Sequence, residues 1–252
     1  MSYLTNPYRY VVAGCSSFPD SLNTSANGAV TGAEINTDDQ KLGDGCVFFD
    51  GSNDLIDLDG IGGNSAFSTN VGSITAWINS ANDGQSRTVL NWASPIATVY
   101  LSIRTDGTSL AVGLYSGGAW QWEALKSGLT QDEWHWLALV QDGVEVKYYF
   151  DNVEQTVFAI DTDRAAWVTS AMTNCRAGCR KIGAAANSDF FHGLVDDIGI
   201  WDVAITESIR EHLWNSGDGN TVSSLTSSCD NIKAYYNCDE LDPNLLNNAL
   251  PI

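Results

Sequence analysis

Positive charge is scarce in this chain. Twelve Lys and Arg face 31 Asp and Glu among 252 residues, a formal charge of −19, and there are just three His and five Pro. So acidic a surface repels nucleic acid and anionic membrane and favours cations and solubility, so neither nucleic acid nor a membrane surface is expected as a partner. No apolar run approaches the roughly 20 residues that span a bilayer, so membrane insertion is not expected either. The opening MSYLTNPYRYVVAGCSS has neither the basic start nor the long apolar stretch of a secretory signal. No Cys-x-x-Cys pair occurs and the His are scattered, which weakens any zinc reading.

What is abundant is apolar and aromatic: 44% apolar residues, with nine Trp, nine Tyr and eight Phe. A large core is therefore affordable, and 252 residues suits one all-β sandwich. Strand patterns recur at 46–49, 55–58, 73–79, 89–93, 99–104, 110–115, 120–124, 134–141, 144–150 and 153–160, with a further candidate at 8–13. Asp106-Gly107 and Asp142-Gly143 are strong hairpin turns. Short strands with turns every 8–12 residues point to a sandwich or barrel rather than a parallel α/β fold. Residues 20–45 read as polar and turn-rich, and 218–228 as a Ser/Thr-rich linker before one more strand at Ile232–Asn237.

Six cysteines, Cys15, Cys46, Cys175, Cys179, Cys229 and Cys238, are even in number, which suggests disulfides and a protein working outside the cell. Sequence leaves fifteen pairings open. Cys175 and Cys179 flank an expected loop, and Cys229 and Cys238 bracket the last strand.

The most informative stretch is Phe190 to Gly217, FFHGLVDDIGIWDVAITESIREHLWNSG. Alternation places Leu194, Asp196, Ile198 and Ile200 on one strand face and Val195, Asp197, Gly199 and Trp201 on the other. A helix is expected over 206–215, capped by Thr206, favoured at its start by Glu207, stapled by Ile209 and Leu213, and stopped by Gly217. Asp196 is then a carboxylate on an apolar face, which costs several kcal/mol unless it is hydrogen-bonded or metal-bound.

Phe191-His192-Gly193, Val195-Asp196-Asp197-Ile198 and Ile200 to Thr206 resemble the closing strand and helix of laminin G-like domains, the family that includes the pentraxins within the concanavalin A-like lectin/glucanase superfamily. Phe48 to Leu58, Ser73 to Ile78 and Trp134 to Asp151 agree in the same order. The resemblance implies an all-β jelly-roll sandwich of two curved antiparallel sheets with one short helix, over 1–217. Residues 218–252 are then a linker and C-terminal strand segment docked on the same domain, with exchange onto a neighbour as the alternative. It also implies a structural Ca²⁺ at Asp196, with Asp50 as a partner, against the alternative of a carboxylate held by backbone N–H groups. A pentraxin-type double calcium site is disfavoured, because alanines leave Asn187 and Asp189 alone in its loop.

The superfamily's catalytic Glu-x-Asp-x-(x)-Glu run is missing, and Glu145 and Asp151 are poor substitutes, so no enzyme is expected. Among the aromatics of the central strands (Trp92, Tyr100, Tyr115, Trp120 and Trp122), Trp120 and Trp122 form the best exposed pair for stacking a sugar, against a core role. The resulting expectation is a non-enzymatic structural or recognition module, extracellular or on a virion surface as a decoration or fibre protein. Its partners would be other structural proteins or cell-surface glycans. The alternative is a soluble calcium-dependent lectin. Oligomeric state stays open.

Overall fold

The computed structural model describes residues 28–62, 67, 70–225 and 231–238, and the backbone of 245–246. Cys15, Cys229 and the strand expected at 8–13 lie outside these residues. Its strands are β1 Gly28–Thr31, β2 Glu34–Asn36, β3 Cys46–Asp50, β4 Leu55–Asp57, β5 Gly72–Ser80, β6 Ser86–Ala93, β7 Val99–Asp106, β8 Ser109–Ser116 and β9 Ala119–Ser127. They continue as β10 Trp134–Gln141, β11 Val146–Phe150, β12 Val153–Glu154, β13 Phe158–Asp161, β14 Asn174–Ala177, β15 His192–Trp201, β16 Ile232–Tyr236 and β17 Leu245–Leu246, with helix α1 at Glu207–Trp214. Two antiparallel sheets result: β13-β9-β8-β7-β6-β14-β4-β1-β17, and β12-β11-β10-β5-β15-β3-β2 with β16 also on β15. This is the expected jelly-roll sandwich. No helix among the described residues is long and apolar enough to cross a membrane.

Leu101, Ile103, Val112, Leu114, Trp122, Ile74, Ile78, Leu137, Leu139, Val195 and Ile200 meet between the sheets as the main core. The eight-stranded sheet is apolar on its outer face as well. There Trp77, Trp136, Tyr149 and Trp201 are roofed by Ile205, by Ile209 and Leu213 of α1, and by Val222, Leu225, Ile232 and Tyr235. Trp214 stacks on Trp77 at 5.5 Å, and Lys41 Nζ lies 4.4 Å from the Trp77 ring while donating to the Gly217 carbonyl at 2.6 Å. Thr206 caps the helix by accepting the Ile209 N–H at 3.4 Å. The helix stops earlier than the expected Gly217: Asn215 takes the left-handed conformation at φ 44° and donates its N–H to the Glu211 carbonyl.

Three expectations change. The turn-rich 20–45 stretch contains β1 and β2, strands of three or four residues too short to alternate visibly. The 153–160 strand is two strands, β12 and β13, at the edges of different sheets. The loop expected around Cys175 is β14, a central strand between β6 and β4. Cys46, Cys175, Cys179 and Cys238 are all buried free thiols, so Cys175 and Cys179 are not bridged. Burial pushes the Cys46 and Cys179 thiols up to about 12 and those of Cys175 and Cys238 well above their ordinary value.

The largest change lies within β15. Asp196 pairs with Trp77 and Gly199 with Thr75, so three steps on β15 oppose two on β5, and Asp197 sits at φ 47°. That bulge reverses the alternation. Val195 before it and Ile198 and Ile200 after it face the core, so Asp196 does not share a face with Ile198 and Ile200. Both aspartates point instead under the roof. Asp196 Oδ2 accepts the backbone N–H groups of Lys41 at 3.1 Å and Leu42 at 2.9 Å. Asp197 accepts the Tyr235 hydroxyl at 2.6 Å and the Val222 N–H at 3.2 Å. The bulge is also where β15 changes neighbours: β3 pairs with His192–Val195, and β16 of the same chain takes over for Ile198–Trp201.

Two outcomes follow from this packing. Tyr235→Phe, which removes the hydroxyl that donates to the buried Asp197 carboxylate and also bonds the Ser223 side chain, is expected to lower unfolding free energy by about 1.5–3 kcal/mol in urea titration. A loss below a few tenths would show that the Tyr235–Asp197 bond is dispensable. A thiol reagent applied to non-reduced protein is expected to find four more reactive cysteines after denaturation than before, matching the four buried thiols. Loss of that difference would mean that they pair in solution.

Candidate functional site

The nine-stranded sheet carries no helical roof, and side-chain alternation decides what its outer face presents. Along β7, Leu101 and Ile103 enter the core, so Tyr100, Ser102 and Arg104 face out. Along β8, Leu110, Val112 and Leu114 enter the core, leaving Ala111, Gly113 and Tyr115 outside. Strand pairing then sets these residues side by side. Trp120, Tyr115 and Tyr100 form one row across three strands, and Glu123, Gly113, Ser102 and Asn91 form the next.

Here a second bulge matters. Tyr115 pairs with Trp120 but Leu114 pairs with Trp122, so two steps on β9 oppose one on β8. Trp120 and Trp122, expected on one face, are therefore on opposite faces. Trp122 is fully buried in the core with its indole N–H donated to the Ala166 carbonyl at 2.9 Å, so it is not a sugar platform. Trp92 is likewise core. Trp120 is half-buried at the surface. Its ring edge meets Tyr100 at 5.5 Å and Tyr115 at 5.8 Å, and these two tyrosines stack on each other at 4.9 Å. A glycine at 113 is required, because a Cβ there would stand 2.8 Å from the Trp120 ring.

Arg104 closes this cluster. Its guanidinium lies 5.3 Å from the Trp120 ring centroid and donates to Glu123 Oε1 at 2.5 Å. Its other terminal nitrogen, Nη1, is shielded from solvent without a hydrogen-bond partner, as is the hydroxyl of Ser102 between Tyr100 and Arg104. Burial, with Tyr115 beside it, raises the Tyr100 phenol above its ordinary value, so it remains a neutral donor and acceptor near neutrality. The arrangement offers ring faces and edges for an apolar surface, with hydroxyl, guanidinium and carboxylate groups for hydrogen bonds. Arg104, Glu123 and Ser102 were missed from sequence, although counting two and four residues on from Tyr100 reaches Ser102 and Arg104.

The metal candidates do not come together. Asp50 pairs with His192, four residues before Asp196 on β15, a separation of about 13 Å at ~3.3 Å per residue. Asp50 is exposed and accepts the Ser52 N–H at 2.7 Å, while Asp196 holds the 41–42 backbone. The two do not fit a shared calcium ion. The alternative weighed for Asp196, a carboxylate held by backbone N–H groups, is the one present. Asp189 is ion-paired with Arg180 at 2.9 Å. Among the described residues, no group of three or more His, Cys, Asp or Glu is disposed to hold a metal. Glu145 pairs with Arg164 at 2.9 Å, and Asp151 accepts the Trp136 N–H at 2.9 Å and faces His135 Nδ1 at 2.8 Å, so both have structural partners.

Comparison with known proteins agrees with this architecture. Domain 4 of the extracellular arabinanase AbnA from Geobacillus stearothermophilus, in complex with arabinotriose, superposes with a TM-score of 0.53 at 20% identity, covering 77% of this chain and 88% of that one. Full-length tailspike protein 2 from the Escherichia coli O157:H7 bacteriophage CAB120 gives 0.60 at 10% identity, covering 92% of this chain and 31% of that one. NanB sialidase from Streptococcus pneumoniae gives 0.52 at 12% identity, covering 66% and 26%. The chain thus spans about a third or less of the tailspike and the sialidase. At these identities the likeness is one of fold, and a search of curated proteins finds no match. The family model described as concanavalin A-like lectin/glucanases superfamily matches residues 50–208, from the end of β3 into α1. By that match the chain belongs to the laminin G-like family of the concanavalin A-like lectin/glucanase superfamily.

Proposed function

We propose that this protein is a non-catalytic carbohydrate-recognition module, acting outside the cytoplasm on a virion or cell surface, that binds its ligand on the unroofed face of the nine-stranded sheet. The observation that carries the reading is the row Trp120–Tyr115–Tyr100, closed by Arg104 and Glu123. A sugar ring presents an apolar patch of C–H groups and a rim of hydroxyls. The aromatic row can take the first from water, and the Arg104–Glu123 pair can bond the second. The arabinotriose in the arabinanase domain structure supports this ligand class. The reading needs no calcium at Asp50 and Asp196.

A glycan array followed by titration of the best hit tests it. Trp120→Ala is expected to weaken binding by about tenfold, the equivalent of ~1.4 kcal/mol, and Gly113→Ala to weaken it by displacing the ring. Binding is expected to persist in chelator. An array without hits, or undiminished affinity in both variants, would reject the site. A particle subunit and a free lectin would share this face, and sedimentation of the native protein with assembled particles separates the two.

A further inference from the structure

A groove of about 210 Å³ opens on the other sheet, over the outer face of its β2, β3, β15 and β5 end. Phe48, Leu194 and Gly193 give it an apolar floor, and Asn36, Asn79, Asp39 and Asp132 supply its polar rim. Its size suits one small ligand, well under the 300–1,000 Å³ of pockets for drug-sized molecules. Nothing in the aromatic row of the opposite sheet contributes to it.

The rim has an imbalance that selects chemistry. Asp39 accepts only neutral donors, and both bonds are long: the Trp134 indole N–H at 3.3 Å and the Asn79 amide at 3.4 Å. Asp132 accepts the Asn82 N–H at 3.2 Å. Among the described residues neither carboxylate has a Lys or Arg partner, whereas Asp57, Asp59, Asp83, Asp142, Asp161, Asp189 and Asp202 each do. No Lys or Arg lines the groove. His192 directs Nδ1 to Asp83 at 3.3 Å and sets its ring edge-on to Phe48. Asn36 has its carbonyl occupied by the N–H groups of Asp38 and Asp39, which leaves its NH₂ group as a donor. The groove therefore combines an apolar floor, amide groups and two carboxylates without a cation, in a molecule of charge −19.

We propose that this groove is a second binding site, for a single sugar unit carrying a protonated amine. The ring rests on Phe48 and Leu194, hydroxyls meet Asn36 and Asn79, and the ammonium faces Asp39 and Asp132. A neutral sugar leaves both carboxylates without a counter-charge, and an acidic sugar is repelled. With carbohydrate also held by the opposite sheet, the module would engage two sugars at once, although this site stands independently of that one.

Titration of the full chain with glucosamine, glucose and N-acetylglucosamine at mildly acidic pH, followed by nuclear magnetic resonance, tests the proposal. Glucosamine is expected to bind about five-fold tighter than the two neutral sugars, the scale of one partly exposed ion pair. Asp39→Asn retains acceptors for Trp134 and Asn79 and is expected to erase that preference, whereas Trp120→Ala leaves it intact. Equal affinity for all three sugars, or no saturable binding of any, would overturn the proposal. So would a preference that survives Asp39→Asn combined with Asp132→Asn, or one that vanishes with Trp120→Ala.

Discussion

The two carboxylates at the β15 bulge hold together parts of the chain that are far apart in sequence. Asp196 grips the turn before β3, and Asp197 grips the segment after α1 and the strand β16. A buried carboxylate is costly unless its oxygens are satisfied, so each aspartate stabilises the fold only while its partners stay in place. The bulge turns both into the roofed layer rather than the main core. Without it, Asp196 would share the inward face with Ile198 and Ile200. The roof, the continuation of the sheet from β3 to β16, and the position of α1 all depend on this one irregularity.

The same device separates what was legible in the sequence from what was not. The expected strands from residue 46 to 150, the two Asp-Gly hairpins, the Thr206 cap and the laminin G-like likeness rest on local pattern, and the structure contains them. Facing beyond a bulge does not rest on local pattern, because one inserted residue reverses parity for the rest of the strand. Hence local pattern alone places Asp196 on the face of Ile198 and Trp122 on the face of Trp120, and the bulges separate both pairs. Neither bulge has a glycine at its extra residue, where a sequence signal would be visible: Asp197 adopts positive φ without one. β14 was hidden for a different reason. Its four residues are NCRA, and an arginine in a central strand is tolerated because Arg176 reaches Asp57 at 2.8 Å beside it.

The sandwich is unequal on its two sides. One sheet is covered outside by aromatic residues and α1, which leaves it an open groove at one end. The other carries half-buried Trp120, Tyr115 and Tyr100 on its outer face, with the Arg104–Glu123 pair beside them and Ser102 and Asn91 of the next row buried. Large half-buried aromatics beside a partly buried guanidinium are the ingredients of recognition surfaces. Their position on paired central strands gives them a rigid base that loop residues lack.

The sharing of one edge of β15 between β3 and β16 also dictates the order of assembly. Residues 47–50 and 232–236 must flank the same strand, yet most of the chain lies between them. As the polypeptide leaves the ribosome, the half of β15 beyond the bulge has an unpaired edge until β16 emerges, and the Asp197 carboxylate waits without its tyrosine. Such non-local closure is slow and leaves apolar strand surface open to association with other chains. The acidic charge of the chain, carried by every nascent copy, opposes that association while the β15–β16 pairing is still to come.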